Sequence, residues 1–103
     1  MKSQSRKFIL IVAATFYESD SNKINGKLKI NKENIVFVAS DKNSRLYKLV
    51  IPVADVIEIV KKSSYGIIPN LIIIKTNTTS YKFSLYAREH FIKTYEKIKS
   101  ELL

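Results

Sequence analysis

The chain has 103 residues, 46% hydrophobic and 26% charged, a composition that suits one globular domain rather than a disordered chain. It has no cysteine, a single histidine (His90) and two distant glycines (Gly26 and Gly66), which excludes disulfides, histidine-rich metal sites, dinucleotide fingerprints and phosphate-cradling loops. Lysine and arginine outnumber acids 18 to 9, and only Arg6, Arg45 and Arg88 are arginine, so the +9 charge suits diffuse attraction to anionic surfaces rather than forked recognition of bases.

Lys2, Arg6 and Lys7 precede an apolar run at 8–14, the outline of a secretory leader. That run is seven residues long, and no small-x-small cleavage site precedes Tyr17. Phe8, Ile9, Ile11, Val12, Thr15, Phe16 and Tyr17 instead favour a strand, predicted over 8–17 behind a disordered or loosely held tail at 1–7. No run approaches the roughly 18 apolar residues of a membrane span, so a soluble, cytoplasmic protein of one domain, 1–103, is expected.

Residues 19–25 form a polar connection that Asn25-Gly26, a strong turn signal, is expected to close. In strand 27–30, Lys27 and Lys29 alternate with Leu28 and Ile30 and so share the solvent face. A turn at 31–34 leads to strand 35–39, in which Ile35, Val36, Phe37 and Val38 leave no polar face. After a charged loop at 41–45, Tyr47, Leu49, Ile51 and Val53 share one strand phase, and Pro52, lacking an N–H, marks that strand's end or a sheet edge. Strand 56–60 follows, with Glu58 facing outward between Ile57 and Ile59. Residues 61–70 read as an unusually apolar connection, and 71–76 and 81–85 as a hairpin around Asn77, Thr78 and Thr79.

The periodicity then changes. Phe91, Tyr95, Ile98 and Leu102 lie four, three and four residues apart, one face of an α-helix predicted over 87–102. Glu89 near its start and Lys93, Lys97 and Lys99 later match the helix dipole, and Glu89 and Lys93 stand in the favourable i,i+4 order. Tyr86 and Ala87 offer no side-chain cap. Seven strands with open ends need a plug, and a helix with an aromatic stripe supplies one.

Catalytic constellations are not legible. A hydrolytic triad needs a carboxylate to orient His90, yet Asp20, Asp41 and Asp55 fall in predicted loops or turns with nothing to bring them there. The nine acids are scattered, without a pair at helical or cross-strand spacing. Neither an enzyme, a metal site nor a cofactor is expected. Nucleic-acid binding is a remote alternative: Phe37, Phe83, Phe91 and Tyr95 read as core, which leaves Tyr17, Tyr65, Tyr81 and Tyr86 for stacking, and a recognition helix is missing.

Four segments, in order, carry a resemblance. They are Gly26-Lys27-Leu28-Lys29-Ile30 with Ile35-Val36-Phe37, then Lys48-Leu49-Val50-Ile51-Pro52-Val53-Ala54-Asp55-Val56 followed by Lys61 and Lys62. Gly66-Ile67-Ile68-Pro69-Asn70-Leu71-Ile72-Ile73 is the third, and Tyr81-Lys82-Phe83 before Arg88-Glu89 the fourth. Together they resemble the GRAM family, a branch of the pleckstrin-homology-like superfold. The resemblance implies a mainly β, partly open barrel of seven antiparallel strands in two sheets, capped by one C-terminal α-helix.

It also implies a non-enzymatic module that meets anionic membrane lipid headgroups or binds protein segments. The positions matching the superfold's headgroup site are Lys23, Lys27 and Lys29, with Lys42 and Arg45 from the neighbouring loop. The family pattern ends this set with arginine, where this chain has lysine. The plain alternative is a solvated strand face that blunts edge pairing. Tyr65, Ile67 and Ile68 beside Lys61 and Lys62 form either a membrane-contact tip or, with both isoleucines folded back, a cap on the barrel mouth. The competing functional reading is a protein-interaction or self-associating module that adds a strand, or forms a homo-oligomer, at an exposed sheet edge.

Overall fold

The computed structural model describes residues 7–19, 21–40, 48–64 and 68–102, the side chains of 63, 64, 68, 69 and 102 excepted. β-branched and aromatic runs build β1 (Leu10–Ser19), β2 (Asn22–Ile30), β3 (Asn34–Ala39), β4 (Lys48–Pro52), β5 (Val56–Ser64), β6 (Ile68–Thr76) and β7 (Ser80–Leu85). A 3-10 turn, Val53–Asp55, joins β4 to β5, and the stripe of period 3.6 builds α1 (Arg88–Leu102).

All seven strands pair antiparallel in the order β4-β3-β2-β1-β7-β6-β5. This is one continuous sheet where two were expected. The reason lies in β1, which pairs with β2 along its length and with β7 only from Ala14 to Tyr17. Because β1 serves both wings, the ladder does not break where the sheet curls. The inner face of β1 carries Phe16, whose ring centroid lies 5.8 Å from Phe37 on one wing and 5.0 Å from Phe83 on the other. Phe37 and Phe83 are themselves 5.7 Å apart, so the wings close over an aromatic triad. The terminal strands of the order, β4 and β5, remain unjoined, which leaves the barrel partly open. Pro52 lies on β4, an edge strand, as its missing N–H requires.

Helix α1 plugs the interior with Phe91, Ile92, Tyr95 and Ile98, all buried in the common core. Full burial of a phenylalanine such as Phe37, Phe83 or Phe91 contributes about 1.5–3 kcal/mol each. Burial also pushes the Tyr95 phenol above its ordinary pKa, and the nearby charges of Glu58 and Glu96 push in the same direction.

Three local expectations change. Asn25-Gly26 is not a turn but mid-strand, with Gly26 paired to Ala14 on one side and Ala39 on the other. The reversal falls between Ser19 and Asn22. Gly26 is there for space: a Cβ would overlap the Val38 carbonyl oxygen and stand 2.8 Å from Phe37 Cζ. The expected connection at 61–70 is mostly strand, since Lys61 pairs with Ile72, Lys62 with Leu71 and Ser64 with Ile68. Pro69 is tolerated in β6 because it falls where the β5 register breaks and before the ladder to β7 begins at Leu71. Glu89 does not pair with Lys93; it faces Lys61 and Arg88 instead.

The β2–β3 turn is built by Asn31, the one buried polar side chain among the described residues, whose Oδ1 accepts from the N–H groups of Glu33 (2.8 Å) and Asn34 (2.7 Å). Before α1, Ala87 adopts φ 58°, a left-handed conformation that strains an alanine.

Candidate anion-binding face

Strand alternation divides β2 cleanly. Ile24, Gly26, Leu28 and Ile30 face the core, while Lys23, Asn25, Lys27 and Lys29 face outward. Register then sets the outward neighbours in rows. Lys23 pairs across to Tyr17 of β1, which pairs on its other side to Lys82 of β7. Both ammonium groups approach the same ring, Lys23 Nζ at 5.2 Å and Lys82 Nζ at 5.1 Å from the Tyr17 centroid. Beside this cluster, Glu18 accepts a hydrogen bond from the Asn22 side chain.

A quieter row separates this cluster from the rest. Thr15 pairs with Asn25 and Ser84, and its Oγ1 donates to Asn25 Oδ1 at 2.9 Å. Next comes the row Ala13, Lys27, Val38 and Lys48, and then Ile11, Lys29, Val36 and Val50. The outer face of β2–β4 holds a cleft of about 460 Å³ with Val36, Val38 and Val50 as an apolar floor. Lys29 and Lys48 line it as cations, Glu33 as the acid, and Phe8 lies with its ring centroid 5.4 Å from Lys29 Nζ.

Lys23, Lys27, Lys29, Lys48 and Lys82 thus share one face, and among the described residues none of them forms an ion pair. Such a face can attract and orient an anionic surface. Among the described residues, no group of three His, Asp or Glu side chains is placed to hold a metal ion.

A family model for the GRAM domain matches residues 3–101. The chain belongs to the GRAM domain family. Its fold is shared with solved structures of low sequence identity. The C-terminal domain of an unknown protein from Leishmania infantum superposes with a TM-score of 0.78 at 15% identity, covering 89% of this chain and 83% of that one. The N-terminal PH domain of human ARAP2 superposes at 0.69 and 14% identity, covering 91% and 82%. No curated relative matches the sequence.

Within this GRAM domain, the expected headgroup residues Lys23, Lys27 and Lys29 are brought onto one face, while Lys42 and Arg45 lie outside the described residues. Lys48 and Lys82 join them without having been singled out. The only sequence signal for Lys82 is its alternation with the core residue Phe83; its place beside Tyr17 comes from the β1–β7 register.

The expected tip at 61–68 is only partly described, since Tyr65, Ile67 and the Ile68 side chain lie outside the described residues. Its Lys61 is engaged, with Nζ 3.2 Å from Glu89 Oε2. Lys62 is exposed, and its carbonyl accepts from an Arg88 guanidinium NH at 2.9 Å. The same guanidinium nitrogen donates to the Leu71 carbonyl at 3.2 Å, so Arg88 clamps the start of α1 onto β5 and β6. His90 is exposed on α1. No helix among the described residues is long and apolar enough to cross a membrane.

Proposed function

We propose that this GRAM domain is a peripheral membrane-binding module of the cytoplasm, whose outer sheet face rests on anionic lipid headgroups. Domains of this class generally act as non-catalytic modules for lipids or proteins, which supports a binding role. The observation that points to anionic lipid is the set Lys23, Lys27, Lys29, Lys48 and Lys82, held on one face without carboxylate partners among the described residues. Each lysine near an anionic leaflet contributes about 1 kcal/mol, and the sum fades with salt as the Debye length shortens. Lysine rather than arginine suits a surface of mixed headgroups more than one stereospecific ligand. The family resemblance adds Lys42 and Arg45 to the residues proposed to meet headgroups.

Strand addition at a sheet edge is less favoured. On β4 the edge carries Pro52, and on β5 the register breaks twice, between Val56 and Glu58 and between Lys62 and Ser64.

Sedimentation with phosphatidylcholine vesicles, with and without phosphatidylserine, tests the proposal. Binding is expected only with phosphatidylserine, falling as salt rises, and lost in the Lys23→Glu/Lys27→Glu/Lys82→Glu variant. A protein that stays in the supernatant with every anionic vesicle at low salt overturns it.

A further inference from the structure

Six large hydrophobic side chains are exposed among the described residues, and four of them gather at one corner of the outer face. These are Phe8, Ile9, Ile11 and Val50, at 36, 54, 51 and 46% exposure. Register accounts for the gathering. Ile11 pairs with Lys29, Lys29 with Val36 and Val36 with Val50, so a single row crosses β1 to β4. Phe8 closes that row by stacking on Lys29 and lining the same cleft as Val50. The Ile9 N–H donates to the Ile30 carbonyl at 2.8 Å, which ties this segment to the end of β2.

The row is not continuous oil, since Lys29 and the buried Val36 stand between Ile11 and Val50, but four exposed apolar side chains at one corner mark a site that is covered in use. Here the neighbours indicate by what. The row itself contains Lys29, and the adjoining row contains Lys27 and Lys48, none with a carboxylate partner among the described residues. Apolar side chains bordered by cations without an ion pair among the described residues complement an anionic bilayer, whose hydrocarbon lies directly beneath its negative headgroups. Lysine stems are long enough to follow the apolar residues inward while their ammonium groups stay at headgroup level.

We infer that Phe8, Ile9, Ile11 and Val50 form a shallow insertion element, so that this corner enters the lipid interface while Lys23 and Lys82 stay on its surface. The inference rests on the membrane-binding reading and adds to it a component of binding that salt does not remove. It also gives the module an orientation, with the starts of β1 and β3 and the end of β4 lowest in the bilayer.

The experiment combines vesicle sedimentation at low and high salt with surface-pressure change in a phosphatidylserine-containing monolayer. It compares the full chain, the Ile9→Thr/Ile11→Thr/Val50→Thr variant and an Ile57→Thr control. Threonine keeps β-branching, and circular dichroism verifies the fold of each variant. The wild type and the control are expected to remain partly bound at high salt and to raise the surface pressure. The triple variant is expected to keep low-salt binding but lose high-salt binding by about tenfold or more, together with the pressure rise. If the triple variant matches the wild type in both readouts, the insertion is overturned and the membrane-binding reading stands. Binding that vanishes for every chain at low salt removes both. A wild-type dimer that the triple variant dissolves assigns the corner to self-association and also overturns the insertion.

Discussion

Around the helix and β5, four cations are held: Lys61 by Glu89, Lys75 by Glu58, Arg88 by the carbonyls of Lys62 and Leu71, and Lys99 by the carbonyls of Val53 and Val56, while Lys62, Lys93 and Lys97 are exposed there without an ion pair among the described residues. On the outer face of β2 and its neighbours, Lys23, Lys27, Lys29, Lys48 and Lys82 have no such partner among the described residues, and Lys23, Lys29 and Lys82 rest on aromatic rings. The two regions differ in what a cation is for. A guanidinium that satisfies two backbone carbonyls fixes one element on another and cannot serve a ligand without loosening the fold. A lysine resting on a ring keeps its charge available, since a cation–π contact leaves the ammonium open to a second anion. Net charge alone does not separate these roles; pairing does.

Exchanging the roles tests the contrast. The largest effect is expected for Lys23→Glu/Lys27→Glu/Lys82→Glu, which weakens phosphatidylserine-vesicle binding by about a hundredfold while stability moves by no more than about 0.5 kcal/mol per site. Arg88→Met is expected to do the reverse. Leaving two carbonyls without their donor costs about 1–2 kcal/mol in urea unfolding, with vesicle binding unchanged. A large loss of binding in Arg88→Met would place the clamp inside the site and erase the distinction.

A smaller effect of opposite sign is expected beside the clamp. Ala87→Gly relieves the left-handed backbone and raises stability by about 0.5–1 kcal/mol, after the greater entropy of the unfolded glycine is deducted. No gain would mean that the strained geometry is compensated by packing of the alanine.

The smallest effect concerns Tyr95 at alkaline pH. Its folded pKa is raised, chiefly by burial, above the unfolded value near 10, so between the two values the unfolded chain has released a proton that the folded chain retains. The associated stability is complete below the unfolded value and is lost as pH rises through the folded one. Tyr95→Phe is expected to lose less stability than wild type as pH rises above about 10 in urea midpoints. Equal losses would show that Tyr95 titrates alike in both states.

Much of the fold was legible because its signals are local. The alternation of Lys27 and Lys29 with Leu28 and Ile30 and the helical spacing of Phe91, Tyr95 and Ile98 depend only on a residue and its near neighbours in the chain. What failed was equally specific. Asn25-Gly26 carries the chemistry of a turn, yet Gly26 is required by the approach of Val38 and Phe37, which no local window contains. Ile57 and Glu58 are both exposed because the β5 register slips at that point, where alternation would have buried one face. Glu89 meets Lys61 rather than its helical neighbour Lys93, because α1 packs beside β5.

The residue order by itself determined the number of strands, the terminal α-helix, the family and the outward face of Lys27 and Lys29, since side-chain direction follows from backbone period. Only the tertiary structure decided that β1 carries both wings in one sheet and that Lys82 and Lys48 stand with the β2 lysines. It also decided that Ile11 and Val50 share one row. Those facts depend on register between strands far apart in the chain, and register is set by closing a common core, a condition that the whole chain must satisfy at once.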